Sequence, residues 1–172
     1  RGRRGLQSHH EGSGRGSGPR LLKSLLRSNF KRISHWSMVG GRNRAGTVRT
    51  FQDLEVWQVG RDVRVRLYIV VTRLPDSERY NLSAQIRRAA VSLTANVAEG
   101  YGRFHFKENI QYCRIARGSA YELIDHLITC QDERYLAKEE VEALHRELLT
   151  FVRLLNGYIR SIGTSKRTDD SQ

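Results

Sequence analysis

The sequence predicts an all-α protein, an up-down-up-down antiparallel four-helix bundle spanning residues 51–162. Three observations lead there. Apolar residues recur at spacings of three and four in four consecutive stretches, the period of helices that bury one face. Short breaks separate those stretches, too short for anything but neighbouring helices. The last stretch keeps a strict heptad, which calls for near-parallel helix packing at about +20°.

The first helix is expected from about Asp53 to Leu74. Thr50 and Asp53 have capping-box spacing, which supplies an oxygen to free N–H groups and an acid to the first turn. Leu54, Trp57, Leu67, Val71 and Leu74 mark one apolar edge, and Val56, Val59, Val63 and Val70 mark another. Such a helix is buried on two sides. Pro75-Asp76-Ser77 ends it.

The second helix runs over Leu82–Gly102, with Ile86, Ala90, Leu93 and Val97 as its core stripe. The glycines at 100 and 102 are expected to end it through a left-handed cap. The third runs from about Phe106 to Arg134, with Ile110, Cys113, Ala116, Ala120, Ile124 and Leu127 on its core edge. Gly118 in its middle costs roughly 1 kcal/mol against alanine, so a close helix approach is expected there. The fourth runs from Lys138 to Ile162. Its Val141, Leu144, Leu148, Phe151, Leu155, Tyr158 and Ile162 step by three and four in alternation. Residues 163–172 read as a frayed, disordered polar tail.

Helix two also carries a second, polar row: Gln85, Arg88, Ser92, Asn96 and Glu99. Polar groups held in a packed row need partners, since a buried unpaired one costs a few kcal/mol. Arg88 and Glu99, with Arg117 and Glu122 of helix three, are the expected members of a structural salt-bridge network, within the bundle or between subunits. Arg87 is expected to point away from both rows. With Arg103 and Arg114 it forms the candidate phosphate-contacting set.

Charge is distributed unevenly along the chain. The formal +12 divides into +11 for residues 1–50 and +1 for residues 51–172. Arginine outnumbers lysine 25 to 5, which suits phosphate recognition but also follows from GC-rich coding. Residues 1–50 read as a basic, mostly disordered leader. Within it, residues 20–37 have the pattern of a basic amphipathic helix, able to lie on RNA or anionic lipid. Met38 is the only methionine, so residues 1–37 have three readings: in-frame upstream sequence, a real basic arm, or an organelle transit peptide. Cys113 and Cys130 fall on one helix about 25 Å apart, too far to pair, which points to free thiols, a reducing compartment and a cytoplasmic location. No stretch of 18 apolar residues exists to span a membrane.

No Gly-rich phosphate loop, H-E-x-x-H or G-x-S-x-G pattern occurs. Glu142 and His145 have the E-x-x-H spacing of dimetal bundles, but a second such motif is lacking and the heptad puts both beside the seam. No metal, cofactor, catalytic residue or enzymatic activity is therefore expected.

Four ordered motifs carry a family resemblance: FQDLEVWQ at 51–58, QIRRAA at 85–90, N-x-A-E-G at 96–100 and IARGS at 115–119, followed by Glu122. Together they resemble the four-helix-bundle, or 23S rRNA-intervening sequence, proteins over about residues 51–162. Thr94 stands where that family often has proline, and Tyr121 where it more often has a small or polar residue. The resemblance implies a homopentamer. It also implies an RNA-associated role, through relatives that serve as accessory factors of diversity-generating retroelements and bind a reverse transcriptase and its RNA. Two functions follow as expectations: a non-enzymatic RNA-binding accessory factor, or an oligomeric protein–protein scaffold without nucleic-acid contact.

Overall fold

The computed structural model describes residues 48–103 and 105–169, with side chains through Gly163. The leader up to residue 47, with its amphipathic segment and Met38, lies outside the described residues. Four helices form the domain: α1 (Glu55–Val71), α2 (Leu82–Tyr101), α3 (Phe106–Asp132) and α4 (Lys138–Asp169). Among the described residues no strand is present.

A 3₁₀ turn, Phe51–Asp53, precedes α1 and is closed by the expected capping box between Thr50 and Asp53. Asp53 Oδ2 accepts from the backbone N–H groups of Arg49 (2.9 Å) and Thr50 (3.0 Å). The helix itself therefore starts at Glu55 and stops at Val71, inside the expected limits, because the capped turn and the Pro75 break each consume part of the segment.

Around the bundle, α1 packs on α2 and α4, and α3 packs on α2 and α4. Side-chain pairs between helices fix the sense of several neighbours. Arg66 meets Glu147 and Arg73 meets Glu140, so position rises along α1 as it falls along α4. Asn109 meets Tyr158 and Arg117 meets Asn156, the same opposed sense for α3 and α4.

The core is the predicted one in outline. Val141, Leu144, Leu148, Phe151, Leu155 and Ile162 of the heptad are buried, and Tyr158 is half-buried with its hydroxyl on Asn109. Both apolar edges of α1 are used: Leu54, Leu67, Val71 and Leu74 are buried, as are Val56, Val63 and Val70. On α3, Ile110 and Ile124 are only half-buried, while Leu123, one position round from the expected edge, is fully buried.

The glycines behave differently from expectation. A Cβ on Gly118 would meet nothing within 4 Å. Ala116 and Ala120 are buried, and the glycine midway between them turns out of the core. Close approach occurs instead at Gly60, whose Cβ would lie 2.8 Å from the Phe151 ring, and at Gly100, 2.8 Å from Asn109 Oδ1. Gly102 caps α2 with φ −75°, so no left-handed residue ends that helix. Among the described non-glycine residues the left-handed one is Arg134, φ 60°, just after α3. There the Tyr135 N–H donates to the Cys130 carbonyl (2.8 Å) and turns the chain toward α4. Finally, α4 continues past Ile162 to Asp169, because one glycine at 163 without a left-handed turn does not interrupt an i→i−4 ladder.

Candidate nucleic-acid interface

The polar row of α2 faces α3 and is satisfied locally. Ser92 Oγ shares a hydrogen bond with Ser119 Oγ (2.7 Å). Asn96 donates back to the Ser92 carbonyl (2.9 Å) and hydroxyl (2.8 Å). Arg88 is exposed and donates to Gln85, one turn before it. Thus Ser92, Ser119 and Asn96 form a short polar zipper within the α2–α3 contact.

Among the described residues of one chain, the four charges Arg88, Glu99, Arg117 and Glu122 do not join into a network. Glu99 pairs with Arg103, Arg117 donates to Asn156 Oδ1 (3.0 Å), and Glu122 faces His126 (3.6 Å). The physical reason is spacing. Arg88 and Glu99 lie three turns apart, about 16 Å along one helix, so each takes a nearer partner.

The three candidate phosphate ligands separate. Arg87 is half-buried rather than exposed. It shares a helix face with Thr94, seven residues on, and Thr94 faces α1, where it accepts a hydrogen bond from Arg64 (2.5 Å). Arg103 is exposed but engaged: its guanidinium lies 4.8 Å from the Tyr112 ring, donates to the Tyr112 hydroxyl (2.6 Å) and pairs with Glu99. The Arg103 hydrogen bond holds the Glu99 carboxyl below its ordinary pKa, and the same bond raises Arg103. Of the three, Arg114 alone is exposed with no carboxylate partner among the described residues.

A further arginine escaped the reading of the sequence. Arg153 on α4 is exposed and likewise lacks an acid among the described residues. It lies one turn before Asn156, the residue that holds Arg117, so α3 and α4 together present Arg114, Arg117 and Arg153 on one half of their hairpin. Residues 106–121 and 148–163, which make up that half, carry five basic residues and one acid, net +4. Residues 122–147, the half nearer the α3–α4 turn, carry three basic residues and eight acids, net −5. The α3/α4 hairpin is therefore two opposed halves. A count by half-helix, once α3 and α4 were taken as antiparallel neighbours, would have found this.

Glu142 is exposed and lies near Lys138 (3.9 Å) and Arg146 (4.0 Å), and His145 is half-buried. Among the described residues no cluster of three His, Cys, Asp or Glu could hold a metal ion, and no helix is long and apolar enough to cross a membrane.

The sequence model for the 23S rRNA-intervening sequence proteins matches residues 52–157, which take in nearly all of the four resembling motifs and span the greater part of the chain. The chain belongs to this family. A solved structure from Bacteroides thetaiotaomicron, described as a protein of unknown function from the S23 ribosomal protein family, is similar in fold. It is 23% identical, with a TM-score of 0.57, over 61% of this chain and 95% of that one. At that identity the likeness speaks for the fold alone. No curated protein matches the chain. Within the family motifs, Gly100 of N-x-A-E-G lets Asn109 of α3 come within contact of the α2 backbone. Likewise IARGS contributes Arg117, Ser119 and the buried Ala116 to the α3 contacts with α4, α2 and the core.

Proposed function

We propose that this family member is a non-enzymatic, cytoplasmic RNA-binding accessory protein, an up-down-up-down bundle that assembles as a homopentamer. The observation that carries the RNA reading is the pair Arg114 and Arg153, exposed and unmatched by acids on the +4 half of the α3/α4 hairpin. Guanidinium groups left without carboxylates keep their donors for phosphate. A ring of subunits would repeat that patch and add avidity without new contacts. The opposed senses of α1 with α4 and of α3 with α4 support the topology.

The testing experiment is RNA binding by the full chain at two salt concentrations, with Arg114→Ala/Arg153→Ala beside the parent and the assembly state followed by sedimentation. Loss of two phosphate contacts should lower the slope of log K against log salt by about 1.4 for a single strand. Equal affinity and slope for parent and variant would remove the reading. A protein-only scaffold is then favoured by a specific observation: Phe106, Ile128 and Leu149 are exposed apolar residues of α3 and α4.

A further inference from the structure

Exposed aromatic rings near unmatched arginines are uncommon on this domain. Tyr80 is 87% exposed, but Arg79 lies over its ring at 5.5 Å, in the α1–α2 connection. Tyr112 is covered by Arg103. Tyr68 is on α1, which packs on α2 and α4 rather than beside α3. Phe106 is exposed too, but it opens α3 two turns before Arg114, at the far end of the basic half from Tyr121. Tyr121 is different. It is 52% exposed on α3 and makes no ring contact or hydrogen bond among the described residues.

Its position sets arginines on one side of it and acids on the other. Arg114, Arg117 and Tyr121 follow at spacings of three and four, a single strip on one helix face. Arg117 is held by Asn156, and moving from Arg117 to Tyr121 along α3 is matched, in the opposed α4, by moving from Asn156 toward Arg153. Tyr121 thus stands at register level with Arg153, among three arginines. The next exposed residue along that strip is Asp125, where the acidic half begins.

Resting on the RNA reading above, we infer that Tyr121 is a stacking platform for an unpaired base, and that the α3/α4 basic face binds single-stranded RNA rather than duplex. The arginines take phosphates, and the ring takes a base face. A duplex buries its base faces in its own stack, so it can use the arginines but not the tyrosine. The strip from Lys107 to Tyr121 is about 20 Å long, room for the few nucleotides of the smallest single-strand sites. Asp125 and Glu122 set its boundary by repelling the next phosphate.

The test uses the full chain with a fluorescent 12-nucleotide single-stranded RNA and a blunt duplex of equal length. Tyr121→Ala should bind the single strand about tenfold more weakly with an unchanged salt slope and leave duplex affinity alone, while Tyr121→Phe should bind as the parent does. Arg114→Ala/Arg153→Ala should weaken both ligands. Full single-strand affinity in Tyr121→Ala, with loss in the arginine variant, would overturn the stacking role and leave the RNA reading standing. Full affinity in the arginine variant would overturn both. A changed assembly state in Tyr121→Ala, seen by sedimentation, would mark the ring as a subunit contact and overturn the stacking role.

Discussion

Arg66 of α1 and Glu147 of α4 form an ion pair in which both side chains are largely withdrawn from water, 14% and 11% exposed. Burial pulls the Arg66 guanidinium below its ordinary pKa, with the nearby Glu140 opposing that shift. Glu147 Oε2 has no hydrogen-bond partner among the described residues. The pair ties α1 to α4 in a fixed register, and losing one member strands the other.

Removing one partner should therefore cost more than removing both. Glu147→Ala or Arg66→Ala is expected to lower unfolding free energy by about 3 kcal/mol, and Arg66→Met/Glu147→Leu should recover much of it. Urea denaturation of the parent, the two single variants and the double Ala variant closes a double-mutant cycle. Additive losses would show that the two residues act separately.

Two glycines should answer alanine in opposite directions. At Gly60 the new methyl would sit 2.8 Å from the Phe151 ring and 3.3 Å from Thr94 Cγ2, so Gly60→Ala is expected to destabilise by roughly 1–3 kcal/mol. At Gly118 nothing lies within 4 Å, and Gly118→Ala should stabilise by about 1 kcal/mol through helix propensity. Thermal melts of both variants decide it.

Arg134 adopts φ 60° in the turn between α3 and α4, where a side chain costs about 1 kcal/mol that glycine does not. Arg134→Gly should raise stability by roughly that amount. A lower midpoint would mean that the arginine side chain makes an interaction outweighing the backbone cost.

The thiols give a pH prediction. Desolvation pushes Cys113 and Cys130 from 9.0 up to about 11 in the folded protein. A group raised on folding contributes its full stability below the unfolded pKa and loses it as pH climbs through the folded value. Stability should thus fall between about pH 9 and pH 11, and Cys113→Ser/Cys130→Ser should make that fall shallower. At about pH 7.5 the native thiols are expected to resist an alkylating reagent that labels the urea-unfolded chain fully.

The helices were legible because burial follows period. The heptad of α4 names its core residues outright, and Thr50 with Asp53 states where the first turn closes. What stayed hidden depends on pairing across helices. Arg66 with Glu147, and Arg117 with Asn156, are 81 and 39 positions apart, and no local spacing announces them. Arg87 misled for the same reason: its exposure depends on where α1 lies, which one helix's pattern does not specify. Gly118 was a different kind of miss, since its turn away from Ala116 and Ala120 was already in the sequence. The interface residues divide in the same way. Arg114 could be read from its own helix, whereas Arg153 gains meaning only beside it.

The opposed charge on the two halves of the α3/α4 hairpin has a consequence for how the molecule arrives anywhere. That hairpin, positive at one end and negative at the other, has an electric moment along its length although its own net charge is only −1. Near a polyanion a hairpin charged in this way feels a torque as well as any net pull, and the torque favours approach with its arginine end inward. Salt would then act first on the fraction of productively oriented collisions.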